Sequence, residues 1–147
     1  MKYHTGKYVP RNIEKYVGDP NGVVYRSSWE KKAMIFFDNN PGILKWQSEE
    51  VVIPYISPLD NKQHRYFPDF TVMYVTRNGE TKRAIVEVKP LKETMVPVTV
   101  GKKKTKRLIT EVSTYVVNQA KWEAARMWCS RNGFDFMILT ERELFNQ

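Results

Sequence analysis

Two carboxylates and an ammonium are the groups in this chain best suited to chemistry: Asp69 in Pro68-Asp69, and Glu87 with Lys89 in Glu87-Val88-Lys89. Oxygen ligands from Asp69 and Glu87 can hold Mg²⁺, which polarises a phosphoryl oxygen and acidifies a bound water. Lys89 can orient that water or neutralise developing charge. Together they match what metal-dependent phosphodiester hydrolysis requires. Such spellings also arise by accident in unrelated chains, so the weight lies on whether the three residues converge.

Arg65-Tyr66-Phe67-Pro68-Asp69-Phe70-Thr71-Val72-Met73-Tyr74-Val75 and Arg83-Ala84-Ile85-Val86-Glu87-Val88-Lys89 are rich in β-branched, aromatic and other apolar residues and read as strands. Thr76-Arg77-Asn78-Gly79-Glu80 joins them, so the pair is a hairpin. With Asn78-Gly79 as a two-residue loop, Asp69 opposes Val88 and points away from Glu87. With Arg77-Asn78-Gly79 as a three-residue loop, Asp69 opposes Glu87, and Lys89 lies on the same face. The three-residue loop is the expected one. It leaves Phe70, Val72, Val86 and Val88 together on the other face, as burial requires. A solvated cross-strand ion pair is the bland alternative, but it leaves two like charges directly opposed without a cation between them.

The chain has 147 residues, 41% hydrophobic and 13% aromatic, enough for one folded domain with a real core. No apolar run reaches transmembrane length, and Met1-Lys2-Tyr3-His4-Thr5 lacks a signal-peptide hydrophobic region, so an intracellular protein without a membrane partner is expected. A single cysteine, Cys129, excludes an internal disulfide and is expected to pack on a helix as a small hydrophobe. With only His4 and His64 beside it, no zinc finger or histidine-based site is expected. The net charge of +8 favours an anionic partner, with DNA the natural choice. Much of that charge sits in Lys102, Lys103, Lys104, Lys106 and Arg107, expected to form a loop that meets phosphates beside the metal; the bland alternatives are a solvated loop or a localisation signal.

Residues 1–25 read as an irregular arm. Ser27 and Glu30 form a capping box opening a helix whose expected core face is Trp29, Ala33, Phe36 and Phe37, with Asn39-Asn40-Pro41-Gly42 as its stop. Val51-Val52-Ile53-Pro54-Tyr55-Ile56 reads as an edge strand, because Pro54 lacks a donor. Residues 112–131 read as a second helix with Trp122, Ala125 and Cys129 on one face, and Asn132-Gly133 as its stop. Phe134 to Thr140 reads as a last strand, set parallel to the Glu87 strand by the helical crossover. Glu141 to Gln147 is read as a short terminal turn. The class is α/β, with order αβββαβ and a mixed four-stranded sheet flanked by helices.

That order, with Glu30 in the first helix, Pro68-Asp69 at the second strand and Glu87-Val88-Lys89 in the third, resembles the PD-(D/E)xK nuclease superfamily and its restriction-endonuclease-like fold. Ser28-Trp29-Glu30, Tyr66-Phe67-Pro68-Asp69-Phe70, Val86-Glu87-Val88-Lys89-Pro90 and Phe136-Met137-Ile138-Leu139-Thr140-Glu141 resemble the TnsA-type endonucleases. Tyr16-Val17-Gly18-Asp19, Ser48 to Pro58, and Thr114 to Trp122 resemble the head completion nucleases of T-even-type tailed phages. The resemblance implies a DNA endonuclease using Mg²⁺ or Mn²⁺ near packaged DNA at the head–neck junction, in the virion and host cytoplasm, with portal or neck proteins as candidate partners. It implies Asp69, Glu87 and Val88 at the metal, Lys89 as the catalytic lysine and Glu30 as an additional acid. Glu30 keeps two readings, cap or catalyst. Gln119 and Lys121 are auxiliary candidates on the second helix. Two alternatives stand beside this: a head-completion protein that keeps the fold but only binds, and a junction-resolving or restriction-type nuclease.

Overall fold

The structure, a computed structural model describing residues 4–145, begins with two short strands, β1 (Gly6–Lys7) and β2 (Val24–Tyr25). Helix α1 (Ser28–Asn39) and strand β3 (Ile43–Ser48) follow, then two hairpins, β4 (Ile53–Ile56) with β5 (Gln63–Tyr66) and β6 (Phe70–Val75) with β7 (Thr81–Val88). Helix α2 (Lys106–Asn132), strand β8 (Asp135–Leu139) and helix α3 (Glu141–Phe145) complete the order. The main sheet runs β3-β6-β7-β8, antiparallel except for the parallel pair β7 and β8 that the α2 crossover produces. The αβββαβ core and mixed four-stranded sheet are therefore as the sequence predicts.

Three elements differ from expectation. The first core strand is β3, not the 51–56 segment, which pairs only with β5 in a separate two-stranded sheet. Strict alternation hides β3, since Ile43 and Trp46 stand three apart yet both pack on the core; the register shift between Ile43 and Lys45 brings them to one side. Second, the strand expected over 65–75 is broken at Phe67-Pro68-Asp69, where buried Pro68 offers no donor to a ladder. Third, α2 starts at Lys106 rather than 112, because the Thr105 hydroxyl caps it by accepting from the Leu108 N–H at 3.1 Å. The basic run is thus part loop and part helix.

Helix α1 covers one face of the sheet through Ala33, Met34 and Phe37 against Trp46, Phe70, Val72, Val86 and Val88. Trp29 and Phe36 only flank that core. Helix α2 covers the other face with Trp122 and Ala125, against Ile53, Tyr66, Phe136 and Ile138. Cover on both faces is why Ala84 to Val88 are all buried in β7. Cys129 is buried on α2, and burial pushes its thiol up to about 11, so it behaves as a hydrophobe.

The described part of the N-terminal arm is ordered rather than irregular; Met1 to Tyr3 lie outside the described residues. Buried Asp38 accepts from the Tyr8 hydroxyl at 2.6 Å and from the N–H groups of Arg11 and Asn12 at 2.7 and 3.0 Å. The Val17 N–H donates to the Trp46 carbonyl at 2.9 Å, so the arm covers the open edge of β3.

Candidate metal centre

The β6–β7 register, from Phe70 opposite Val86 to Val75 opposite Thr81, closes on the three-residue loop Arg77-Asn78-Gly79. Thr76 N–H donates to the Glu80 carbonyl at 2.8 Å, and Gly79 takes the left-handed conformation with φ of 82° that a side chain resists. One step beyond Phe70 and Val86, this register sets Asp69 level with Glu87. Phe70, Val72, Val86 and Val88 face α1 in the core, so the two carboxylates project to the other side. Asp69 Oδ2 accepts from the Val88 N–H at 2.8 Å. The Val88 side chain lies in the core, which confines any ligand from this residue to its carbonyl oxygen.

Glu87 is only 5% exposed, and one of its oxygens, Oε1, is buried without a hydrogen-bond partner. Burial raises the pKa of both carboxyls. Asp69 is raised well above the usual range, by burial first and then by the facing Glu87, while Lys89 draws both groups back down. Lys121 comes in from α2, its Nζ 5.9 Å from the Tyr55 ring centroid and 5.7 Å from that of Tyr66. Burial lowers its pKa, and the Glu87 and Asp69 carboxylates oppose that shift while Lys89 adds to it. Gln119 is half-buried on the opposite side of the inward stripe, about 200° around the helix from Lys121, and does not share its face.

Glu30 and Glu49 bring ligand oxygens within 4.8 Å of one another and of Asp69. Sequence reasoning assigned Glu49 no role. Its position follows from the backbone: Glu49 has φ of 51°, rare for a side-chain-bearing residue, and its N–H donates to the Asp69 carbonyl at 3.1 Å. Arg26 holds the Glu49 carboxylate at 2.6 Å. At Glu30 the capping box is half made. Ser27 Oγ accepts from the Glu30 N–H at 3.0 Å, but the Glu30 carboxylate accepts from Arg26 N–H at 3.4 Å, not from the cap residue's own N–H.

Burial, then the Asp69 charge, push the Glu30 carboxyl up to about 7, against the Arg26 N–H bond. A carboxyl whose pKa is raised on folding stabilises the fold most below its unfolded value of 4.5 and loses that contribution as pH rises towards 7. Metal-free Glu30→Gln is therefore expected to melt above the parent at about pH 8, with the two curves converging by about pH 4–5. Parallel melting temperatures across this range would show that Glu30 carries no such burden.

Among the described residues, Lys102, Lys103, Lys104, Lys106 and Arg107 are all exposed. Lys102, Lys103 and Arg107 line a groove of about 1300 Å³ between the segment after Pro90 and the start of α2. Asp69 and Glu87 do not line it.

Asp69, Glu87 and Lys89 thus meet at one end of the β6–β7 hairpin in an αβββαβ core, and sequence comparison gives the family: the chain belongs to the TnsA-like endonuclease family, whose N-terminal domain matches residues 40–141. That span carries Glu49, Asp69, Glu87, Lys89 and Lys121, and begins after the helix bearing Glu30. The chain is also 41% identical over 141 residues to the head completion nuclease of Enterobacteria phage T4, covering 94% of this chain and 91% of that protein.

Proposed function

We propose that this protein is a divalent-metal-dependent DNA endonuclease acting in phage head completion, in the virion and the infected host cytoplasm, with Mg²⁺ or Mn²⁺ held by Asp69 and Glu87. The observation that carries the reading is the facing pair itself, with Glu87 buried and Asp69 half-buried. Two carboxyls opposed across a hairpin, one with an orphaned oxygen, form a hard-oxygen donor set that a cation would satisfy and a solvated ion pair would not. The Val88 carbonyl adds one more oxygen of the same kind.

The chemistry that such an ion supplies is polarisation of a phosphoryl oxygen and a more acidic water. Asp69 and Glu87 fix its place, with Asp69 itself oriented by the Val88 N–H. Lys89, next but one to Glu87 and half-buried, neutralises charge growing on the attacked phosphate. Glu30 and Glu49 enlarge the acidic site around Asp69. Lys102 to Arg107 hold the flanking phosphates. Portal or neck proteins are natural neighbours for such a role. A purely structural head-completion protein would have no use for a facing pair that repels itself without a cation.

The reading predicts that purified protein cuts linear, nicked or branched DNA when Mg²⁺ or Mn²⁺ is present and leaves all three intact in excess chelator. The panel also ranks the DNA structures by rate. No cutting of any form with either metal would leave the binding-only alternative standing.

A further inference from the structure

On the α2 side of Glu87 lie two buried polar groups that the proposed mechanism leaves idle. Tyr66, at the end of β5, is 3% exposed, and Trp122, midway along α2, is 1% exposed. Both belong to the apolar cluster with Ile53 and Ala125. The Tyr66 hydroxyl and Trp122 Nε1 are each buried without a hydrogen-bond partner, as is Glu87 Oε1. Three such orphans in one place are unusual, because buried polar groups are nearly always paired. Their chemistry is complementary and runs in one direction: an indole N–H only donates, a phenol both accepts and donates, and a carboxylate only accepts. They are also neighbours, since the Tyr66 hydroxyl interacts with both Glu87 and Trp122.

We propose that Trp122, Tyr66 and Glu87 form a one-way hydrogen-bond chain, Trp122 Nε1–H to Tyr66 Oη and Tyr66 O–H to Glu87 Oε1, that closes when Glu87 takes up a cation and fixes the direction of its carboxylate. Tyr66 is then a positioning residue and acts through Glu87. The inference rests on Glu87 being a metal ligand. Carboxylates that bind metals are generally held by such bonds, and losing one typically lowers metal affinity by about 10- to 100-fold. The separate β4–β5 hairpin gains a purpose here, since it carries Tyr66 to the space between α2 and Glu87.

The test is calorimetric titration of Mn²⁺ into metal-free parent, Tyr66→Phe, Trp122→Phe and Glu87→Gln, with melting of each metal-free protein. Tyr66→Phe is expected to weaken Mn²⁺ binding by about 10-fold or more while its metal-free melting temperature stays at or above the parent's, because the deleted hydroxyl had no partner there. Trp122→Phe, which removes the far donor, should weaken binding less. Cleavage by Tyr66→Phe should recover largely at saturating Mn²⁺. Parent-like Mn²⁺ affinity in a folded Tyr66→Phe, while Glu87→Gln fails to bind, would overturn the chain alone. So would a loss of affinity in Tyr66→Phe matched by an equal loss of metal-free stability. Parent-like binding by Glu87→Gln would overturn the metal site and the chain with it. Should Tyr66→Phe fail to fold, unchanged affinity in Trp122→Phe overturns the proposal.

Discussion

Asp69→Asn and Glu87→Gln are each expected to cut DNA slower by roughly 10²- to 10³-fold or more, the scale set by removing one preorganised electrostatic partner from a site shielded from water. Both variants should nevertheless fold at least as stably as the parent when metal is absent. Burial raises the pKa of both carboxyls, and Asp69 is raised further by Glu87. At neutral pH and above, the parent keeps an uncomfortable proton or an unpaired charge there, while an amide of the same shape carries neither. By linkage, a carboxyl raised on folding withdraws stability as pH increases, so the advantage of Asp69→Asn should grow from acid to alkaline conditions. Added Mg²⁺ should reverse the order, raising the melting temperature of the parent alone, because a ligand stabilises only the state that binds it. Melting curves at several pH values, with and without Mg²⁺, read both effects. A variant that is destabilised without metal and also inactive would point to a structural role for the carboxylate.

Replacing Lys102, Lys103, Lys104, Lys106 and Arg107 together by Gln is expected to weaken DNA binding for all sequences and flatten its salt dependence. Every phosphate that is no longer neutralised takes roughly 0.9 units off the slope, so the total reaches about 4.5 if all five side chains meet phosphates. Base preference should not change, because cations on the phosphate backbone carry no direct sequence information. Folding should be indifferent or slightly improved. Lys106 and Arg107 occupy the first turn of α2, where the helix dipole disfavours cations, and the Arg107–Glu111 pair at 3.5 Å is exposed. The same dipole adds to the attraction for a phosphate arriving at that end. Titrations at several salt concentrations without catalytic metal decide the matter. An unchanged slope would mean that the run faces solvent or a protein partner.

How much of this was legible before the structure depended on whether a feature was local. The hairpin was legible because Asn78-Gly79 and the alternating apolar residues allow few registers, and only one puts Asp69 beside Glu87. Helix α1 announced itself through Ser27, although Met34 and buried Asp38 on its inner side went unread, since an aspartate inside the core is recognisable only with its partners Tyr8, Arg11 and Asn12 in view. Strand β3 was hidden by an irregularity that upsets alternation. The reach of the 65–75 strand was overestimated because its aromatic and β-branched residues outweighed Pro68, which ends one sheet and begins another. Glu49 was the costliest omission. In Ser48-Glu49-Glu50 it looks like surface charge, and the positive φ that turns it towards Asp69 leaves no mark on a residue that is not glycine. Lys121 lies on the helix expected for it, but its place over Tyr55 and Tyr66 depends on the β4–β5 hairpin, whose separation from the main sheet no local pattern records.

The central claim is that Asp69 and Glu87 together hold the ion that cleavage needs. Its most direct measurement is a Mn²⁺ titration of chelator-stripped parent, Asp69→Asn and Glu87→Gln on one DNA substrate, following bound metal and cut product in the same samples. The parent should cut nothing until Mn²⁺ is added and then cut in proportion to the metal bound, while both variants bind weakly and stay inactive at the concentrations that saturate the parent. Cleavage by the stripped parent in excess chelator, or parent-like binding and cutting by either variant, would contradict the account.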